Sequence, residues 1–235
     1  MTSGKFFVGN RRPIIAAKDI IPFLGKASHW VEGRSAYEAA SSWFDANDVP
    51  PAVRGVIETD AAFRGAILVE ATFEKQTALD DFGRSSQTDV LARLQTPSGV
   101  AILGVEAKVD ESFGPTVAEW SVGRSAGKER RLAGLVDRLG LEPNAVLTLR
   151  YQLLHRTAAA LIESAQAGAQ DAAMIVQSFS PDSVRAGFAD FQAFAVELGT
   201  PVDKPGMLSK PIELGGVRLR LGWALDQIKS ERLGR

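Results

Sequence analysis

The sequence has no cysteine, which excludes disulfides, zinc–thiolate centres, iron–sulfur clusters and thiol nucleophiles. That absence suits a reducing compartment. Histidine is scarce: His29 and His155 are the only two, too few for a multi-histidine metal centre. No apolar run approaches the roughly 20 residues that cross a bilayer. The N-terminus, Met1 to Gly9 followed by Arg11-Arg12-Pro13, lacks the apolar stretch of a signal peptide. A cytoplasmic protein with no membrane partner is therefore expected. An excess of either charge is missing too. The formal net charge is −1, which argues against a dedicated DNA coat protein but not against an enzyme that gathers basic residues around an acidic site. There is no Gly-x-Gly-x-x-Gly in strand–helix context, no Walker lysine loop and no Gly-x-Ser-x-Gly elbow.

What remains is an ordinary globular chain of 235 residues, 45% hydrophobic, long enough to bury a sizeable core. Residues 13–28 read as a short helix and loop. Ser35-Ala36-Tyr37-Glu38 has capping-box spacing and predicts a helix ending near Asn47 to Pro51. A shorter helix is expected over 52–62, and 63–72 reads as a strand or a helix end. Residues 74–86 are polar and read as a loop. Helices follow near 115–122 and 127–139, the second closed by Gly140. A long helix is expected from about 144 to 167, a buried strand over 172–179, and a helix over 183–198. Residues 200–214 read as a loop. The alternation in 216–223 predicts a final strand, half exposed or at an edge. These elements make one α/β domain, 1–235, with an N-terminal helical part over 13–62 and a core over 63–225 built on a mixed sheet flanked by helices.

The chemistry concentrates in one hairpin. Gln87 to Leu94 and Val100 to Lys108 are strand-like runs around Thr96-Pro97-Ser98-Gly99. If those four residues make the turn, Thr96 faces Gly99 and Asp89 lies opposite Glu106, with Lys108 two residues further on the same face. Two carboxylates and a lysine then share one patch of sheet. Hard cations such as Mg2+ or Mn2+ take oxygen ligands. Asp89, Glu106 and the carbonyl of Ala107 can supply them, while Lys108 can orient or deprotonate a water or offset charge on a phosphate. The plainer alternative is a pair of charge-balanced, solvated strand ends.

Asp89 with Glu106-Ala107-Lys108 resembles the signature of the PD-(D/E)XK nuclease superfamily, with Thr88 where a proline often precedes the first aspartate. The resemblance implies a restriction-endonuclease-like core and Mg2+-dependent hydrolysis of DNA that leaves a 3′-hydroxyl and a 5′-phosphate. It also implies a glutamine near the metal on a later helix, here Gln152, and an upstream acidic residue. Glu74 is preferred for that last role over Glu38, whose plainer part is to complete the capping box. Many enzymes of this fold pair into homodimers. Arg130, Arg131, Arg150 and Arg156, with Arg124 and Lys128, are candidates for a basic rim facing phosphates. The loop His29 to Ser35 is placed near the cleft, and His155 reads as a structural histidine.

Two other functions stay open on the sequence. One is a catalytically weak or inactive protein of the same fold that binds nucleic acid or a protein partner. The other is a metabolic enzyme using Asp89 and Glu106 as an acid–base pair without a metal.

Overall fold

The turn at Thr96-Pro97-Ser98-Gly99 fixes the centre of the molecule. Gly99 adopts φ +128°, and the Thr96 hydroxyl accepts or donates to Ser98 and donates to the Gly99 carbonyl, closing the turn. From there the strands β4 (Ser86–Thr96) and β5 (Gly99–Lys108) pair antiparallel, Thr96 with Gly99 through to Val90 with Val105. The register is the one the turn predicts. This computed structural model describes residues 4–81, 83–123, 125–179 and 181–233. Arg124, placed on the basic rim by sequence, lies outside them.

The hairpin sits in an eight-stranded mixed sheet. Introduced in chain order, the remaining strands are β1 (Phe6–Val8), β2 (Arg12–Pro13), β3 (Ile67–Thr77), β6 (Asp171–Ser178), β7 (Ile212–Leu214) and β8 (Val217–Leu225), in the spatial order β2-β1-β3-β4-β5-β6-β8-β7. β3, β4 and β5 form an antiparallel meander, and β6 and β8 run parallel to β5. The helices are α1 (Ser35–Ala46), α2 (Pro51–Ile57), α3 (Val117–Trp120), α4 (Ala126–Leu139), α5 (Tyr151–Ala167), α6 (Pro181–Glu197) and α7 (Lys229–Leu233). The fold is therefore mixed α/β, a central sheet covered by helices on both faces.

Strand alternation sorts the two faces. Val90, Ala92, Leu94, Leu103, Val105 and Ala107 pack with Trp43, Val53 and Ile57 of α1 and α2. Met174, Val176, Leu219, Leu221 and Trp223 pack with α4, α5 and α6 through Val136, Leu153 and Phe191. On this second face Gly104 lets α5 come close: a Cβ there would stand 3.2 Å from the Ala160 Cβ.

Several expected elements differ. Residues 74–77 continue β3 rather than starting a loop. The helix expected from 144 breaks into a 3-10 turn, Ala145–Thr148, and α5. The break is made by an extended Arg150, bridged to Thr116, and by the Tyr151 N–H donating to the Pro115 carbonyl. β8 is buried rather than half exposed, because Arg220 is held by Asp60 and Asp171 and Arg218 by Asp171, so the charges that make the strand look amphipathic are internally matched. β7 emerges from the expected 200–214 loop as an edge partner of β8. Among the described residues no helix is long and apolar enough to cross a membrane.

A carboxylate cluster across three strands

β4 brings the site together. Its register with β3 pairs Phe73 with Val90 and Lys75 with Thr88, which sets Glu74 across from Asp89. Its register with β5 runs to Val90 and Val105, which sets Glu106 across from Asp89 on the other side. Glu74, Asp89 and Glu106 therefore stand at one level of three adjacent strands; Glu106 meets α5, whereas Glu74 and Asp89 border a cleft at the start of α1. Neither of these two rungs is among the paired residues. Glu74 sits at φ +51°, a left-handed conformation rare for a side chain of this size. Asp89 turns its Oδ2 to accept the Ala107 N–H at 2.7 Å instead.

α5 closes the cluster from above. Residues four apart on a helix share a face, and both Gln152 and Arg156 reach Glu106. Gln152 Nε2 donates to Glu106 Oε1 at 2.6 Å, and Arg156 Nε donates to Glu106 Oε2 at 2.5 Å. Lys108 Nζ lies 3.0 Å from Glu106 Oε1 and donates to Gln152 Oε1 at 3.0 Å. Glu106 and Lys108 are buried, and the Arg156 side chain is only 10% exposed. Phe113 covers the lysine, whose Nζ stands 5.1 Å from the ring centroid. Glu74 Oε2 accepts Gln87 Nε2 at 2.5 Å.

The electrostatics follow from this crowding. Burial would raise the Glu106 carboxyl, but the charges of Arg156 and Lys108 outweigh it and hold the group down to about 2. Burial and the repulsion of Glu106 push Asp89 well above the usual carboxylate range, with Arg156 opposing. Burial lifts Glu74 to about 7, against the Gln87 hydrogen bond and Arg156. Three carboxylates thus share two nearby cations, and the two without a direct cationic partner carry the excess.

Glu74 and Asp89 open into a cleft of about 500 Å3, walled opposite by Ser28, His29, Arg34 and Ser35, with Glu111 at one side. Of the loop His29 to Ser35, His29, Arg34 and Ser35 line this cleft. Glu106, Lys108 and Gln152 are not part of this wall. A larger, apolar cavity of about 690 Å3 lies between α3, α4 and the 3-10 turn, lined by Val122, Leu132, Val136 and Leu147, away from the carboxylates.

Other expected roles are redistributed. Ser35 and Glu38 form no capping box. The Ser35 hydroxyl donates to Glu111, whereas the buried Glu38 accepts the N–H groups of Gly33 and Lys229. Arg156 faces Glu106 and Ser86 rather than solvent. Arg131 is bound bidentately by Asp80, and Arg150 donates one hydrogen bond to Asp190 and one to the Gly114 carbonyl. Arg130 donates through Nε to the Ala126 carbonyl of its own helix. His155 turns to the Ser86 hydroxyl, 2.9 Å from Nδ1, and burial, helped by Arg156, lowers its pKa to about 3. The four-residue spacing places Arg156 beside Gln152 in the sequence, but its partner is Glu106 rather than the phosphate expected there.

Residues 13–228 match one protein-family description, Domain of unknown function (DUF6946). The chain belongs to the DUF6946 family. No curated protein and no solved structure matches it. In this DUF6946 chain no three His, Cys, Asp or Glu side chains among the described residues are gathered closely enough to make a ready metal cage. The donor chemistry nonetheless fits one hard cation. An ionised carboxylate offers about four acceptor positions. Glu106 uses three of them, on Gln152, Lys108 and Arg156, leaving one on Oε2. Asp89 Oδ1 has no partner among the described residues. The Ala107 carbonyl shares the strand edge of its N–H, which points at Asp89.

Proposed function

We propose that this protein is a metal-dependent phosphodiesterase acting on DNA, built on a restriction-endonuclease-like core. One observation carries this reading: Glu74, Asp89 and Glu106 stand level across three adjacent strands, with the Lys108 ammonium held by Glu106 and Gln152 beside them. The order meander, α5, then parallel β6 supports the finer fold assignment. Mg2+ or Mn2+, bound through Asp89, Glu106, the Ala107 carbonyl and Glu74, would supply Lewis acidity toward a phosphoryl oxygen and a more acidic water.

The chain's own groups do the rest. Gln152 fixes the position of both Lys108 and Glu106, so the lysine has little rotamer freedom to lose. The Lys108 ammonium orients the attacking water or offsets charge growing on the phosphate. Arg34 and His29 on the opposite wall suit a phosphate entering the cleft. Water oxygen bonds to phosphorus as the bond to the 3′-oxygen breaks. The water's proton passes to solvent, and the leaving 3′-oxygen takes one up, giving a 3′-hydroxyl and a 5′-phosphate.

A second reading, a protein of this fold that binds nucleic acid or a protein without cutting, is favoured by one observation: three acceptor positions of Glu106 are already taken by protein donors. Calorimetric titration with Mn2+, run beside a cleavage assay on linear, nicked and single-stranded DNA, separates the readings. Wild type is expected to bind the ion and cut. Lys108→Met is expected to bind it and cut at least about 100-fold more slowly. Identical behaviour of wild type and Asp89→Ala would sink the site. Binding without cleavage would favour the second reading, and cleavage in chelator would point to acid–base chemistry without a metal.

A further inference from the structure

Arg156 occupies an unusual place for an arginine. Its side chain is 10% exposed, reaches from α5 to Glu106, and is fastened at both ends. Nε donates to Glu106 Oε2 at 2.5 Å, and the guanidinium donates to the Ser86 hydroxyl at 3.1 Å. Ser86 is in turn held by His155 at 2.9 Å. Two-metal hydrolytic sites set their ions about 3.5–4 Å apart and clamp both the attacking and the leaving oxygen. Such a pair needs carboxylate oxygens with acceptor positions to share between ions. Glu106 has one position left, on Oε2, the oxygen that Arg156 holds.

We propose that Arg156 is a built-in cation standing in place of a second metal ion, so that the cluster takes one divalent ion per chain. This rests on the metal-dependent reading above. The arginine neutralises part of the carboxylate charge permanently and takes one of the two acceptor positions on the Glu106 oxygen that two bridged ions would have to share. Ser86, itself in contact with His155, holds the other end of its guanidinium. Arg156 is thus a positioning residue, acting on the ion through Glu106.

The test counts ions rather than turnover. Mn2+ is titrated into the full chain by calorimetry and by electron paramagnetic resonance of the unbound ion. The same is done with Arg156→Gln and Arg156→Lys, each first checked for a cooperative melt. Wild type and Arg156→Lys are expected to bind one ion per chain. Arg156→Gln is expected to bind two, or to bind the first at least about tenfold tighter, because a like charge beside the ion has gone. Two ions in wild type would overturn this inference and leave the proposed function standing. None in wild type would sink the proposed function itself. A count and affinity unchanged in Arg156→Gln would also overturn the inference. Should that variant fail to fold, the wild-type count decides, one ion supporting the proposal and two ending it.

Discussion

The carboxylate of Asp89 accepts the backbone N–H of Ala107 at 2.7 Å, just beyond the last paired rung of β4 and β5. A side chain here does the work of a backbone carbonyl, and it comes from a residue that also lines the cleft.

That division of labour separates two substitutions at one position. Asp89→Ala leaves the Ala107 N–H without its acceptor and should lower stability by about 1–3 kcal/mol in urea denaturation. Asp89→Asn keeps an acceptor oxygen and removes the carboxylate repulsion. It should melt no lower than wild type without metal, yet lose Mn2+ binding in calorimetry. A large stability loss in Asp89→Asn would contradict the assigned hydrogen bond.

Glu106 is the anion on which three donors converge. Glu106→Gln strands the buried Arg156 guanidinium without its counter-charge. Removing one partner of a buried pair typically costs about 3–5 kcal/mol, and a loss of that size is expected by chemical denaturation. Glu106→Gln combined with Arg156→Met should recover part of it.

His155 gives a pH signature. Its folded pKa, about 3, lies below the ordinary value of 6.5 because burial and Arg156 disfavour its charged form, with Lys108 and Arg131 adding to this and Glu106 opposing. The unfolded chain therefore binds the extra proton first. The histidine's contribution is fully present above pH 6.5 and is lost as the pH falls toward 3. About 2–4 kcal/mol is at stake, allowing for its partial exposure. His155→Gln should flatten the acid limb of the stability profile between those values, measured by denaturation at stepped pH. An unchanged slope would refute the assignment.

Gly104→Ala tests how closely α5 must sit. The new Cβ would meet the Ala160 Cβ at 3.2 Å, so the helix has to yield by a few tenths of an ångström. A stability loss of about 1 kcal/mol is expected. If the proposed chemistry holds, the rate should fall further than the stability, because Gln152 and Arg156 ride on that helix.

The hairpin was legible in the sequence because a short turn containing Pro97 and Gly99 fixes register over the whole ladder, and Asp89, Glu106 and Lys108 follow by counting. Gln152 was legible only through a family resemblance. Glu74 is named as the third carboxylate, but its strand is not, since the polar connection after it, with Asp80, Asp81 and Gly83, is too long to set the β3–β4 register by counting, and its left-handed backbone breaks the alternation. Arg156 read as a phosphate contact because charge in sequence says nothing of which neighbour it will meet. β1 is placed by pairing with β3 across some sixty residues, a contact no local pattern encodes. The same limit applies to Arg220, whose partners Asp60 and Asp171 arrive from two other segments.

The pairing of β3 with β4 skips the rung between Glu74 and Asp89 and resumes at Lys75 and Thr88, leaving a seam in the sheet. Amides along a seam are the first to trade hydrogen for deuterium, since no ladder bond must open to release them. Anything that knits the carboxylates together would slow that exchange at Asp89 and its neighbours while leaving the rest of β4 untouched. Occupancy of the cleft would thus be recorded in the backbone itself, readable by mass without knowing the substrate.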